Sequence, residues 1–371
     1  MKLLITGDLA ITKQYPKKNI DKNLINLFQN SDYNIVNLEA PVTESDSKII
    51  KTGPHLKSDT GSTLEVLKAL NVNLCTLANN HILDYGEKGV LDTLQFCEGI
   101  KISTVGAGKN KEEASKVFYI GSPEGKIAII NIAENEWASA TETSAGANGM
   151  DLIDDMKSIQ NARVKSDFVL VIVHGGLEYY NLPSPAIQKK YRFYIENGAD
   201  LVLGHHTHCI SGKEVYKGKS IYYSVGNFLF TKNSNYSDWY NGFILELNIS
   251  SGELKTKCHP IQQNETDFRL SFLEGDEKGN FFKRVKEYNE IIQDPTRLSD
   301  AWCSLIDKKS MLYISLWSPF VFIRSRYLRA LFIKLGIRFI NKRGLSYYLN
   351  LMRCETHSDI SMSVLNNKIK K

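Results

Sequence analysis

The sequence lacks three features, and each absence excludes a class of protein. None of its six cysteines forms a Cys-x-x-Cys pair, which argues against a zinc ribbon or a thiol redox site. It contains no apolar stretch of about eighteen residues, so no membrane-spanning helix is predicted. The N-terminal apolar run ends at Asp8, too early for the hydrophobic region of a signal peptide. Together, these absences predict a reduced, cytoplasmic protein.

The net charge indicates no particular binding partner. The formal net charge is +5 over 371 residues, too small to imply nucleic-acid binding. The composition, 42% hydrophobic and 23% charged, is ordinary for a globular protein. The length predicts one large domain, or one domain with an appendage.

Short runs of Val, Ile and Leu alternate with helical patterns over the first two-thirds of the chain. Such runs are typical of strands buried on both faces, and their alternation with helices predicts α/β layers. Few helical signals occur between residues 213 and 259, which predicts hairpins that close the sheet. Beyond about residue 270 the pattern becomes helical, basic and aromatic. The predicted domains are therefore 1–270 and 271–371, the second an α-helical extension.

Six of the predicted strands end in polar side chains that can bind a metal ion. In open α/β sheets, ligands bind at the carboxyl ends of the strands, so these groups are expected at one rim. Carboxylate, amide and imidazole together suit Mn, Fe, Zn or Mg. The residues are Asp8, Glu39, Asn80 with His81, His174 with Glu178 after it, His205 with His206 and His208, and Asn227.

Each of these residues has a simpler interpretation when taken alone. An aspartate after a strand is commonly a helix N-cap, and an Asn-His pair is commonly a turn. The recurrence favours a site, because five of the eight histidines lie at these strand ends. In an extended segment, His206 and His208 would project to the same side. His259 and His357 are interpreted as structural.

Six motifs come in an order that resembles the CapA family, named for a capsule (poly-γ-glutamate) biosynthesis protein. The motifs, which cover roughly residues 1–250, are "GDLA", "NLEAP", "ANNHILDYG", "VHGGLEY", "GHHTHC" and "GNFLF". The family is similar in fold to the calcineurin-like metallophosphoesterases. The resemblance implies a four-layer metallophosphoesterase-like sandwich, in which two β-sheets are flanked by helices.

The resemblance also implies a metal-dependent hydrolase of phosphate esters that contributes to poly-γ-glutamate or polysaccharide synthesis. Its substrate would be phosphorylated or polymeric. His81 would contact the substrate phosphate and protonate the leaving group, while Asp84 or Glu178 could complete the metal shell. Two divalent ions would be held by Asp8, Glu39, Asn80, His174, His206 and His208.

Two departures from the phosphoesterase pattern keep an alternative open. Ala10 stands where a histidine ligand is usual, and Glu39 replaces a bridging aspartate. The alternative is a non-catalytic scaffold of the capsule machinery that retains a metal site.

Residues 308–343 contain nine Lys or Arg and no Asp or Glu. Within them, Leu328, Leu331, Phe332, Leu335 and Phe339 follow a spacing of three and four. One interpretation is a basic amphipathic helix on an anionic membrane or against the capsule machinery. The other is a helical subdomain that packs on the catalytic domain. Nucleic-acid binding is disfavoured, because no known module is recognisable.

Overall fold

The computed structural model describes residues 1–317, 319–323, 325–335 and 341–369. The chain forms two compact units, Met1–Leu298 and Ser299–Lys371. The strands are β1 Lys2–Ala10, β2 Tyr33–Leu38, β3 Leu74–Thr76, β4 Ser103–Val105, β5 Ala107–Gly108, β6 Phe118–Ser122, β7 Gly125–Ala133, β8 Gly146–Ala147, β9 Phe168–His174, β10 Leu201–His205, β11 Lys213–Tyr216, β12 Lys219–Tyr222, β13 Asn227–Phe230, β14 Asn241–Ser250, β15 Glu253–Gln263 and β16 Leu270–Phe272. The helices are α1 Lys22–Gln29, α2 Thr60–Ala69, α3 Gly86–Gly99, α4 Lys111–Ala114, α5 Leu152–Lys165, α6 Pro185–Glu196, α7 Gly275–Gln293, α8 Pro295–Leu316, α9 Arg326–Lys334, α10 Lys342–Arg353 and α11 Glu355–Ile369.

Two large sheets form the first unit. The first sheet has eight strands in the order β16-β15-β14-β1-β2-β3-β4, with β13 paired to β1. The second has six strands in the order β11-β12-β10-β9-β7-β6. The parallel strands β1 to β4, and likewise β7, β9 and β10, direct their carboxyl ends toward the same rim of each sheet. The predicted hairpins between residues 213 and 259 are confirmed as β11–β12 and β14–β15.

The four predicted layers are confirmed by the directions in which neighbouring side chains of each strand point. Neighbouring residues of a strand point to opposite faces, so Leu3 and Ile5 face the second sheet while Leu4 faces helices. The inter-sheet core is completed by residues such as Ile35, Leu74, Ile129, Leu170 and Leu203. The outer faces pack on helices through Leu24, Phe28, Val66 and Val90 on one side, and through Ile159, Ala162, Tyr191 and Tyr194 on the other.

Helix α7 belongs to the first unit, although its composition resembles that of the C-terminal segment. Phe281 is buried against Phe243, with ring centroids 6.2 Å apart. Gln188 Nε2 of α6 donates to the carbonyl oxygen of Ile292 at 2.7 Å. The compact units therefore divide at residue 298, not at 270, because the change from strands to helices precedes the change in packing. The functional division into a catalytic domain and an extension stays a prediction.

The second unit is helical, as the sequence predicts. Along α9, Leu328 and Leu331 are exposed. Phe339, the last residue of the predicted apolar stripe, lies outside the described residues. In the described part of the chain, no helix is both long and apolar enough to cross a membrane. The six cysteines, all of which the structure describes, are free thiols.

Candidate metal centre

The second half of β1 and the residue that precedes β13 approach each other closely enough to require glycine. A Cβ atom on Gly7 would lie 1.8 Å from the carbonyl oxygen of Gly226. The register of the two strands then places Asp8 beside Asn227, while the pairing of β1 with β2 places Asp8 beside Asn37. The sequence therefore provides the close backbone approach that brings side chains from separate strands to one rim.

One half of the rim is acidic, and we call it the acidic half: Asp8, Glu39 and His208. Ligand atoms of these three buried residues all lie within 4.8 Å of one another. Asn37 Nδ2 donates to Asp8 Oδ1 at 2.6 Å. His208 Nδ1 lies 3.4 Å from Asp8 Oδ2, and its Nε2 lies 3.7 Å from Glu39 Oε1. Asn227 Oδ1 is 3.0 Å from the same Nδ1, so it orients the imidazole ring.

Glu39 is the least compensated carboxylate of this half. Its side chain is fully buried, and neither oxygen has a hydrogen-bond partner among the described residues. Burial, and then the negative charge of Asp8, raise the pKa of Glu39 well above its usual value. A buried carboxyl without a partner destabilises a fold unless a ligand satisfies it.

The other two members of the acidic half respond to the same charges. Burial opposes ionisation of Asp8, but the hydrogen bond with His208 and the fields of neighbouring histidines hold its pKa below the usual value. Burial alone would lower the pKa of His208, yet the fields of Glu39 and Asp8 raise it to about 9. A divalent cation here would replace the proton that His208 holds and would offset both carboxylates.

The other half is built from amide and imidazole, and we call it the imidazole half: Asn80, His174 and His206. His174 Nε2 lies 3.1 Å from Asn80 Oδ1 and 3.1 Å from His206 Nδ1. Burial, followed by the field of His206, lowers the pKa of His174 well below its usual value. Burial and the charge of His208 lower the pKa of His206 to about 3. Both rings are therefore neutral and available as metal ligands.

The prediction of an extended His206-Thr207-His208 segment is wrong. His206 has a φ of 87° and His208 a φ of 54°, so the backbone adopts left-handed conformations after β10 ends. The ring centroids lie 6.1 Å apart, and the two rings serve different halves of the rim. Strand periodicity could not predict this, because it assumes that the strand continues.

Two buried side chains support His81, those of Asp84 and Lys51, and the sequence indicates only Asp84. Its Nδ1 lies 2.7 Å from Asp84 Oδ2, which also accepts the backbone N–H of Leu56 at 2.7 Å. The ammonium of Lys51 pairs with Asp84 and lies 3.2 Å from His81 Nδ1. Burial lowers the pKa of His81, while Asp84 acts in the opposite direction. Asp84 thus lies behind His81 and orients its ring.

The remaining predicted residues lie at or below the rim. His205 points beneath it, with Nε2 2.9 Å from the carbonyl oxygen of Thr6. Glu178 is half-buried, and its charge contributes to raising the pKa of both Glu39 and His208. Asn227 is held from the other side, because its Nδ2 donates to the carbonyl oxygen of Trp239 at 3.0 Å.

Sequence reasoning missed three residues of the site: Asn37, Lys51 and Glu136. Glu136 Oε1 lies 3.6 Å from His206 Nε2. The signal for it was present, because Glu136 follows the carboxyl end of β7 by three residues. Asn37 lies one position before the end of a predicted strand. Lys51 lies in the long connection between β2 and α2, where no local pattern indicates that its side chain turns inward.

An aromatic wall of Tyr179, Tyr236 and Trp239 borders the acidic half. Trp239 lies against His208 at 4.8 Å between ring centroids and stacks on Tyr179 at 6.2 Å. Tyr179 has a φ of 62°. It is 43% exposed, because one face of its ring packs against the protein and the other faces solvent. The wall limits access to His208 and forms an apolar border beside the rim.

The model of the family described as "Bacterial capsule synthesis protein PGA_cap" matches residues 2–232. The chain belongs to that family. It is 29% identical over 283 residues to the capsule biosynthesis protein CapA of Bacillus anthracis, covering 70% of this chain and 69% of that protein. It is 33% identical over 224 residues to the PGA biosynthesis protein CapA of Bacillus subtilis, covering 59% of each. The predicted membership of the CapA family is therefore confirmed.

Similarity to solved structures is more distant. A phosphatase structure from Mycoplasma pneumoniae matches 72% of this chain and 95% of its own, with 14% identity and a TM-score of 0.44. A similarity at that level supports no inference about the site or its chemistry. The four layers of this member of the capsule synthesis family are established by its own packing.

Proposed function

We propose that this protein is a metal-dependent hydrolase of phosphate esters that contributes to the synthesis of a capsule or another surface polymer. The observation that carries the proposal is Glu39, whose two buried oxygens have no hydrogen-bond partner among the described residues. The polymer context comes from the relatives, which are named for capsule and PGA biosynthesis. The substrate class we propose is a phosphorylated precursor or a phosphorylated polymer.

The donor set fits divalent metal ions. Two carboxylates and three imidazoles, with an amide, match the preferences of Mn, Fe and Zn, and the carboxylates alone also suit Mg. Asp8, Glu39 and His208 would hold one ion, and Asn80, His174 and His206 would hold a second. When bound, such ions supply Lewis-acid activation of the phosphoryl group and of the attacking water.

His81 is the residue that we assign to proton transfer. Because Nδ1 donates to Asp84, Nε2 is the nitrogen left to exchange a proton, and in the imidazolium form, which the Asp84 carboxylate stabilises, it would protonate the leaving oxygen. The ion pair with Lys51 holds Asp84 in place. Burial of all three side chains excludes water, which strengthens their interactions with a bound phosphate.

A specific observation favours the second candidate function, a metal-binding accessory protein without catalysis. Ala10 packs in an apolar cluster with Ala40, Phe230 and Trp239. Space that an imidazole ligand would occupy next to Asp8 is thus filled by core. The first metal would then have fewer ligands than a phosphoesterase normally provides.

The test is elemental analysis of the purified protein, combined with hydrolysis of bis-p-nitrophenyl phosphate in added Mn²⁺. We expect His206→Ala to lose metal and activity together. We expect His81→Ala to retain metal and lose about 100-fold or more in kcat, within the range for general acid catalysis. His259→Ala is the matched control, since His259 pairs with Glu246 on the sheet away from the rim. Bound metal without turnover would favour the accessory function, and a metal-free protein would exclude both.

We further propose that the protein acts in the cytoplasm and contacts the inner membrane, or the capsule machinery there, through residues 308–343. The exposed leucines of α9 and the nine basic residues support this proposal. Flotation with phosphatidylglycerol vesicles tests it, and Leu328→Glu with Leu331→Glu should abolish the association. Vesicle binding unchanged by these substitutions would contradict the proposal.

A further inference from the structure

A cavity of about 490 Å³ lies where α7 crosses β11, β12, β14 and β15. Its volume is within the range of sites that hold small organic ligands. It shares no residue with the rim. The proposed hydrolase activity therefore gives it no role.

The floor of the cavity is aromatic and closely packed. Tyr222, Phe243 and Phe281 are each at most 3% exposed, and their rings form a row with neighbouring centroids 6.0 and 6.2 Å apart. Val285 and Cys258 are partly buried beside them. Phe282 lies at the margin and is 41% exposed. Because the floor is already packed, the apolar surface that an alkyl chain could cover is that of Phe282 and Val285 above it, with a gain proportional to the area buried there.

The walls carry charge of one sign. Four lysines line the cavity and no carboxylate does: Lys213, Lys257, Lys278 and Lys286. The nearest acidic side chains are otherwise engaged, since Glu246 bonds to His259 and Asn248, and Glu277 faces a neighbouring recess that contains Arg284. Within the described ranges, none of the four lysines forms an ion pair. Lys257 nevertheless lies opposite Glu246 on the neighbouring strand and interacts with its charge, so the charges available to an anion are those of Lys213, Lys278 and Lys286.

Lys213 is the best positioned of the four. Its backbone N–H donates to Asn289 Oδ1 of α7 at 2.6 Å, which fixes the strand against the helix. Its ammonium lies 3.4 Å from the Tyr222 hydroxyl, which itself donates to Thr256 Oγ1 at 2.7 Å. One N–H of the ammonium is therefore directed at the Tyr222 hydroxyl, and the other two N–H groups can donate to a ligand.

We propose that this cavity binds a single-chain amphiphilic anion, with its apolar chain along Phe282 and Val285 at the edge of the aromatic floor and its phosphate or carboxylate head between the lysines. Lysine binds such heads as a compact point charge, with charge-assisted hydrogen bonds. Neither the apolar chain nor the anionic head is sufficient for binding by itself. Inorganic phosphate lacks the apolar contact, and a neutral alcohol lacks the charge.

The test is titration of the full chain with dodecyl phosphate and dodecanoate, each below its critical micelle concentration. We expect saturable one-to-one binding of at least one of the two amphiphiles. Dodecanol and inorganic phosphate should each bind with lower affinity. The double variant Lys213→Gln/Lys286→Gln should weaken binding by about 10-fold or more. The matched control is Lys157→Gln/Lys189→Gln, which removes the same charge from exposed positions of α5 and α6 and should change nothing.

Location is tested separately by thiol alkylation and mass spectrometry. Cys258 lines the cavity, whereas Cys303 is exposed elsewhere. A bound chain should slow alkylation of Cys258 and leave that of Cys303 unchanged. Failure of both amphiphiles to bind, equal binding by the two double variants, or binding without protection of Cys258 would overturn the proposal. Binding to phosphatidylglycerol vesicles without binding of monomeric amphiphile would overturn it as well.

Discussion

Glu39 and Glu214 are both buried glutamates, yet they lie in opposite surroundings. Glu214 is 3% exposed and accepts from Arg192 Nε at 3.1 Å, from Arg192 Nη2 at 2.7 Å and from the Tyr223 hydroxyl. Glu39 is 0% exposed and has no hydrogen-bond partner among the described residues. Burial of charge is common to both regions. The difference is that the fold supplies hydrogen-bond donors to one carboxylate and none to the other, which supports the proposed role of Glu39 as a metal ligand.

The same contrast holds for the regions around them. On the helix side of the second sheet, Asp200 likewise pairs with Arg163 and Lys219. At the rim, Asp8 accepts from Asn37, but the carboxylate of Glu39 has no such donor among the described residues. Residues of the first region should therefore determine stability, and those of the rim should determine ligand binding.

The largest expected effect is at the strand approach that assembles the rim. Gly7→Ala would place a Cβ against the backbone of Gly226, which cannot move as a side chain could. We expect a loss of more than about 4 kcal/mol in the free energy of unfolding, together with loss of metal binding. Urea-induced unfolding and elemental analysis measure the two effects.

The control for that substitution is Gly121→Ala. A Cβ at Gly121 would meet nothing within 4 Å among the described residues. Its stability should stay within about 0.5 kcal/mol of the parent. If Gly7→Ala proved equally mild, the close approach of β1 and β13 would be incorrect.

The next effect concerns the satisfied glutamate. Glu214→Ala would leave the Arg192 guanidinium and the Tyr223 hydroxyl without their acceptor, which should cost about 3 kcal/mol. Metal content should not change, because Glu214 is not part of the rim. Equilibrium unfolding with parallel metal analysis measures both quantities, and a loss of metal without a loss of stability would reverse the comparison.

A pH-dependent effect should follow from Asp155. Burial raises its pKa from 3.8 to about 6 in the folded protein, although the hydrogen bond from Tyr194 acts in the opposite direction. The folded state thus binds a proton more tightly than the unfolded state. Asp155 imposes no cost below pH 3.8 and its full cost, at most about 3 kcal/mol, above pH 6.

Asp155→Asn should remove this dependence. Relative to the parent, the variant should gain stability as the pH rises from 4 to 7, measured by urea unfolding at each pH. Asp154→Asn is the control, because Asp154 is exposed and its pKa is lowered by the hydrogen bond with Lys111. A parallel response of the two variants would contradict the assignment.

The sequence predicted the layers well because strand-end chemistry and apolar runs are local signals. Runs such as Phe168–His174 are buried throughout, and their polar last residues reach the rim as expected. The strand β13 was missed, because Asn227–Phe230 is short and follows another apolar run directly. The compact units divide after α7, at residue 298, where no change of composition marks the sequence.

The site was predicted less completely, for a physical reason. Lys51 reaches His81 only because the connection after β2 folds back over the rim, and that path depends on tertiary contacts. The division into an acidic and an imidazole half depends on the left-handed backbone at His206 and His208. Neither residue is a glycine, so no residue type signalled the turn.

The central proposal is that Glu39 is buried without a hydrogen-bond partner because a metal ion completes it. Titration of the metal-free protein with Mn²⁺, compared with Glu39→Gln, tests this most directly. We predict that the variant binds Mn²⁺ about 100-fold more weakly or worse, since even a lost second-shell partner costs ~10–100-fold. We also predict that its metal-free stability changes by less than about 1 kcal/mol. Unchanged Mn²⁺ affinity in Glu39→Gln, or a collapse of its metal-free fold, would contradict the account.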